Sequence, residues 1–329
     1  MLELGFYQKI SLADSLRTWL SQAGGLYSKA SAQDRLIQRR EESAPGTGIL
    51  ATVLSGILFG TSVPIIKLGL NLLPADLFVA FRFSLASVLV LLFLRRNGWV
   101  DWTLLRTRPI WVVGFVNAIG YVLQFQGQRF TTSSDAALII GTAALMIPVL
   151  SRARGSETIG AKKGLGVLSG FLGASMVVTR GQVVSLGQAQ FLGDVLILGT
   201  AVTIALVFIY SKDIVIQKGG RAVTGGMILI TSVLLVLAIP LDQGASVNLG
   251  WEAAFYTAFL AVVATVGAYY FLMKGLETVS STVSSIILPI EVIVAVALSV
   301  IIFNDPFNIY SGTGAVLIVA GVLLVSSSS

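Results

Sequence analysis

The 329-residue chain contains no cysteine and no histidine. The first absence excludes disulfides, zinc-thiolate sites and thiol nucleophiles. The second removes the side chain most often used as general base and as metal ligand. Charge is scarce too. Asp, Glu, Lys and Arg make up 12% of the residues, about half of what an ordinary soluble protein carries. That is too little to coat a water-soluble globule of this length. No glycine-rich phosphate loop of the P-loop type is present, which argues against ATP hydrolysis. No cluster of acids stands at ligand spacing, so no metal and no cofactor are expected.

Apolar residues are what the chain has in abundance, at 55% with a mean hydropathy of +0.87. A membrane-spanning helix takes about 20 mostly apolar residues. Ten such runs occur, at 48–70, 76–94, 109–128, 133–151, 163–180, 191–211, 222–241, 251–273, 280–303 and 308–326. Barrel strands are about 10 residues long and alternate in polarity. These runs are longer and continuous, so the pattern predicts an all-α integral membrane protein with ten transmembrane helices. The connections are short and carry breakers, as in Asn71-Leu-Leu-Pro74, Gly219-Gly220 and Asn304-Asp305-Pro306. They leave no room for a soluble domain after residue 48.

Residues 1–47 differ, with six basic and five acidic side chains and no apolar run of signal-peptide length. Leu12, Leu16, Trp19 and Leu20 share one helical face. This cytoplasmic tail reads either as an amphipathic helix lying on the lipid surface or as a tail of mixed order.

The 22 Lys and Arg residues are unevenly placed. With the N-terminus in the cytoplasm, 18 of them fall on the cytoplasmic side, among them Arg95, Arg96, Arg106, Arg108, Arg152, Arg154, Lys162 and Lys163. The positive-inside rule therefore puts both termini in the cytoplasm, as expected for a multi-pass plasma-membrane protein. The same bias explains the net charge of +6 without a nucleic-acid partner.

The two halves of the chain repeat each other. At a shift of 147, Gly120–Ala144 lies over Gly267–Glu291, with Ser133-Ser134 over Ser280-Ser281. At 148, Gly164 and Gly166 fall on Gly312 and Gly314, and Gly173 falls on Gly321. At 145, Lys67 falls on Lys212. The units are 48–180 and 191–326. Each holds five spans, and an odd number makes the second unit enter the membrane from the opposite side. Two inverted five-helix repeats are expected, an arrangement that places a binding site between the halves near the midplane.

Several segments resemble one family. They are Gly60-Thr-Ser-Val-Pro-Ile-Ile-Lys67, Arg82-Phe83, Gly155-Ser-Glu157-Thr, and Leu288-Pro-Ile-Glu291 followed by Asn304-Asp305-Pro306 and Gly312. Together with the ten spans and the repeat, the chain is identified as similar to EamA-type members of the drug/metabolite transporter superfamily. Two departures stand out: Val292 replaces a usual Pro, with Pro289 three residues earlier, and Ala144 stands at a usual Pro of the first repeat, with Pro148 four residues later. The resemblance implies alternating-access transport of a small metabolite, such as an amino acid or a drug-like solute, often outward. It does not imply one substrate.

Most polar residues inside the spans are Ser, Thr or Gly and suit helix packing. Asn117, Tyr121 and Gln124 are spaced four and three apart and share a helical face. Tyr269 and Tyr270 occupy the repeat-related stretch. These five are the candidate substrate-binding residues, and helix–helix hydrogen bonding is the competing reading. Arg82 lies six residues after Asp76, about 9 Å into its helix. It can snorkel outward, pair with an acid or attract an anionic solute. Asp135 and Asp194 sit at helix starts, where the dipole favours a carboxylate.

Glu291 follows Ser280 by eleven residues, about 16 Å along the helix. A carboxylate that deep must face protein or water, take a partner, or accept a proton. Glu291 is therefore the candidate coupling or gating group, with Arg82 as its nearest plausible cation. A neutral Glu held for packing is the alternative. Without His or Cys an intramembrane enzyme is disfavoured; a channel or scaffold that does not alternate is the other alternative class.

Overall fold

A computed structural model describes residues 45–153, 160–179, 189–238, 250–279, 287–304 and 309–326. The compact unit is Gly46–Ser329. Most of the tail, together with Glu157, Arg180, Ser280 and Asp305, lies outside the described residues.

Every regular element among the described residues is helical. The first repeat comprises α1 (Pro45–Gly69), α2 (Ala75–Leu89), α3 (Arg108–Gln128), α4 (Ser133–Gly141), α5 (Ala143–Ala153) and α6 (Ala161–Thr179). The second comprises α7 (Ala189–Lys218), α8 (Gly220–Ala238), α9 (Trp251–Ala261), α10 (Ala268–Leu276), α11 (Ile287–Phe303) and α12 (Ile309–Ser326). Seven segments are long and apolar enough to cross a bilayer, and three shorter apolar helices, Gly164–Val177, Ile290–Phe303 and Ile309–Leu324, complete the ten.

Local chemistry explains the irregularities. The fourth span, α4 and α5, is interrupted at Thr142, whose hydroxyl bonds back to the Ile139 carbonyl at 2.7 Å. Pro148 sits inside α5, where it deprives the Ala144 carbonyl of its helical donor. Together they interrupt the hydrogen-bond ladder of this span. The eighth span, α9 and α10, carries a π turn at Val262–Gly267. The sixth span, α7, runs to Lys218, one turn or more beyond the predicted 211. The predicted boundary stopped where polar residues begin, but Ile214 and Val215 are buried and prolong the helix.

The contacts between glycines reveal the symmetry. A Cβ on Gly173 of α6 would meet the Gly314 carbonyl of α12 at 2.5 Å, and one on Gly321 would meet the Gly166 carbonyl at 2.5 Å. Pairing 166 with 321 and 173 with 314 makes the helices antiparallel. Because 166 is the repeat equivalent of 314, and 173 of 321, the contact maps onto itself under a two-fold operation. The fifth and tenth spans thus cross on the pseudo-two-fold axis, and the repeats are inverted.

Two lysines repeat the relationship. Lys67 Nζ donates to the carbonyls of Gln128 and Thr131 at 2.6 and 2.7 Å. Lys212 Nζ donates to those of Leu276 and Val279 at 2.9 and 2.7 Å. The accepting carbonyls correspond at a shift of 148. That puts Gln128–Thr131 over Leu276–Val279, one residue from the 147 alignment of this stretch. The slip arose because Thr131 and Thr278 matched by type, whereas the lysines report backbone position.

Candidate functional site

The first, third, sixth, eighth and ninth spans enclose a cavity of about 50 Å³. Its walls include Phe59 and Ser62 from α1, Asn117, Gly120, Tyr121 and Gln124 from α3, and Thr200, Thr203, Ile204, Val207 and Phe208 from α7. Tyr269, Leu272 and Glu291 complete it. Close helix packing makes this possible. A Cβ on Gly60 would lie 2.8 Å from the Glu291 carbonyl and 2.7 Å from Val294 Cβ. Only a residue without a side chain lets α1 seat against α11 at the level of Glu291.

The cavity straddles the pseudo-two-fold axis. Tyr121 and Tyr269 are equivalent at a shift of 148, as are Gln124 and Leu272, while Phe59 and Ile204 and then Ser62 and Val207 correspond at 145. The equivalence is geometric, not chemical. The first repeat supplies Ser62, Asn117 and Gln124, and the second faces them with Val207, Ile204 and Leu272. The second repeat also carries Thr200, Thr203, Tyr269 and Glu291, and the first carries Phe59, so polar and apolar groups share the whole wall. Glu291 is the acid in the wall.

A chain of hydrogen bonds organises the wall. Tyr269 Oη donates to Asn117 Oδ1 at 2.6 Å. Asn117 Nδ2 donates to Thr231 Oγ1 at 3.1 Å, and the Thr231 hydroxyl bonds the Gly114 carbonyl at 3.2 Å. Tyr121 and Tyr269 approach edge-on, with ring centroids 6.5 Å apart. Phe59 packs edge-on against Tyr269 at 5.0 Å. Each ring is fixed by a neighbour, so the chamber wall is preorganised.

Arg82 stands behind this wall rather than in it. It is fully buried, so it does not snorkel. Its Nε donates to Thr265 Oγ1 at 2.7 Å and its Nη2 to the Ala264 carbonyl at 2.9 Å. Nη2 also reaches Tyr121 Oη at 3.3 Å. The π turn presents that carbonyl, and the Thr265 hydroxyl is itself bonded to the Leu260 carbonyl at 2.8 Å. The ring faces of Tyr121 and Phe83, 4.8 and 5.6 Å from the guanidinium carbon, share its charge. Among the described residues no ion pair joins Arg82 to Glu291: Nε and Nη2 are committed to the eighth span and Tyr121, and the buried Nη1 has no hydrogen-bond partner.

Of the sequence-predicted site residues, Asn117, Tyr121, Gln124, Tyr269 and Glu291 meet at the cavity. Tyr270 does not. It points the other way around its helix and stacks on Trp99, with centroids 5.3 Å apart and planes at 27°. Adjacent helical residues are about 100° apart, so one of the two tyrosines had to face away. Sequence reasoning missed Phe59, Ser62 and the α7 residues. The signal that finds them is the repeat itself, because the positions facing Tyr121 and Tyr269 recur at 145. Asp194 is placed beyond the helix start, five residues into α7, where its carboxylate takes the Thr131 hydroxyl at 2.5 Å. Asp135 does sit in the first turn of α4, in a reciprocal cap with Thr132.

The EamA-like transporter family matches this chain twice, over residues 46–179 and 191–327. An uncharacterized transporter of Bacillus subtilis, YyaM, is 25% identical over 257 residues, covering 75% of this chain and 83% of its own. A second from that organism, YetK, is 25% identical over 81% of this chain and 83% of its own. An uncharacterized transporter of Archaeoglobus fulgidus is 21% identical over 84% of this chain and 96% of its own. A solved crystal structure superposes with a TM-score of 0.65 at 18% identity, covering 85% of this chain and 96% of that one, and shares the fold. Two family repeats, inverted about an axis between the fifth and tenth spans, make this chain a multi-pass membrane transporter, and it belongs to the EamA-like transporter family.

Proposed function

We propose that this chain moves a small metabolite, such as an amino acid or a drug-like solute, across the plasma membrane by alternating access, in exchange for protons and in the export direction. The observation that carries the reading is the cavity on the pseudo-two-fold axis, with Glu291 in its wall. A site on the axis is exposed to one face or the other when the repeats rock, without moving itself. A chamber of about 50 Å³ admits a few waters only, so a metabolite enters as the walls separate. Polar groups such as Asn117 and Gln124, beside apolar ones such as Phe59 and Leu272, suit an amphipathic solute. Tyr121 and Tyr269 hold its flat or apolar part, and Arg82 positions Tyr121. Glu291, 7% exposed, is the group that exchanges a proton during the cycle. The basic loops orient both termini toward the cytoplasm.

The test is transport in proteoliposomes with an imposed pH gradient. Glu291→Gln preserves shape and folding but cannot release a proton. The expected result is loss of transport, or of its pH dependence, with unchanged thermal stability. A variant that transports normally from about pH 5.5 to 8 makes Glu291 structural and ends the proton-coupled reading.

A further inference from the structure

The connection between the second and third spans plays no part in the cavity, yet it gathers the most concentrated charge among the described residues. Arg95, Arg96, Arg106 and Arg108 are exposed. Among the described residues none of their guanidinium groups is engaged by a protein acceptor. The fold adds to them. Lys218, at the end of α7, reaches the loop and donates to Thr103 Oγ1 at 3.1 Å while pairing with Asp101 Oδ2 at 3.4 Å. This carries the start of α8, with exposed Arg221, to the same membrane face. Asp101 answers Lys218, and among the described residues no acid is paired with any of the five arginines.

Aromatic and apolar groups are layered beside these charges. Leu92 and Phe93, at the end of the second span, are 65% and 70% exposed. Trp102 is 65% exposed in the loop. Trp111, in the first turn of α3, donates its indole N–H to the Leu105 carbonyl at 2.9 Å. Apolar side chains suit acyl tails, indoles suit the headgroup level, and guanidinium groups bind phosphate with two parallel N–H bonds. The sequence in space is that of a lipid leaflet: tail, interface, phosphate. A soluble acidic partner has no use for the exposed Leu92 and Phe93.

We propose that this face binds the phosphate of anionic phospholipid headgroups, held by Arg95, Arg96, Arg106, Arg108 and Arg221. The proposal does not depend on the transported solute or on proton coupling. Ligands that bind the native state raise its apparent stability, so thermal unfolding of the full chain in neutral detergent tests it. The probes are phosphatidylglycerol, phosphatidylcholine and inorganic phosphate at equal concentration. The variants are R95Q/R96Q/R106Q/R108Q and, as a control that removes an exposed charge at the opposite membrane face, R129Q. Phosphatidylglycerol is expected to raise the unfolding temperature of the natural protein and of R129Q by several degrees more than phosphatidylcholine does. The fourfold variant is expected to respond equally to both lipids. Equal responses in the natural protein overturn the proposal. So does a full phosphatidylglycerol response in the fourfold variant, a lost response in R129Q, or an equal shift with inorganic phosphate alone. If the fourfold variant does not fold, added salt decides with the natural protein: the excess response must shrink as exposed charges are screened, and a salt-independent response overturns the proposal.

Discussion

Arg82 illustrates how much a residue's meaning depends on partners far away in the chain. Its depth can be counted from Asp76, but its acceptors, Ala264 and Thr265, lie more than 180 positions further on. Nothing local distinguishes a guanidinium that binds an anion from one that props up a tyrosine. Asp101 is the opposite case, because its partners are its neighbours. Its carboxylate accepts from the Thr103 hydroxyl at 2.5 Å and from the backbone N–H groups of Thr103 and Leu104 at 2.8 and 3.1 Å. The Thr103 side chain, then those amides and Lys218, hold its pKa at about 2, against an ordinary 3.8, and outweigh the opposing effect of burial. The folded value lies below the unfolded one, so the ionised form adds stability above about pH 4 that is lost as pH falls toward 2. Asp101→Asn is therefore expected to be less stable than the natural protein at neutral pH, with the gap closing below about pH 4. Thermal unfolding across a pH series measures this, and a gap that stays constant contradicts it.

At the level of elements, the recurring device is a lysine at the end of the first span of each repeat. The last carbonyls of a helix have no intrahelical donor and carry the negative end of its dipole. Lys67 supplies the missing donor to the end of α3 and the turn after it, and Lys212 does so for α10. Inversion puts one clamp at each membrane face. Hydrogen bonds from a charged group contribute about 1.5–3 kcal/mol. Lys67→Met and Lys212→Met are each expected to destabilise the protein by about 2 kcal/mol, read from unfolding in detergent. Lys274→Met, which removes an exposed ammonium paired with Glu277 at 2.6 Å, is expected to cost less than about 1 kcal/mol. Equal losses in all three would mean that the clamps are ordinary surface pairs. The break at Thr142 and the π turn at Val262–Gly267 are also element-scale features. Hydropathy cannot show either, because a bent apolar helix has the same composition as a straight one.

At the level of the whole molecule, inversion gives an orientation that labelling can test. Asn71 and Asn97 are both exposed, in the first and second connections. The chain has no cysteine, so an introduced thiol reports without background. Asn71→Cys is expected to react with an impermeant thiol reagent on intact cells, and Asn97→Cys only after lysis. The reverse pattern would invert the orientation drawn from the basic loops. The ten spans, the helical class and the two-fold repeat were all readable in the chain, because a bilayer imposes one length and one polarity on whatever crosses it. The paired Asn117, Tyr121 and Gln124 were readable for a similar reason: one helix has one period, and residues four and three apart share a face. The opposite walls of the cavity, the partners of Arg82 and the gathering of Arg221 with the second connection were not. Each depends on which helices cross, at what height and about which axis. Those are settled by glycine contacts such as Gly173 with Gly314, where two backbones approach because neither carries a side chain, and only the packed bundle brings such positions together.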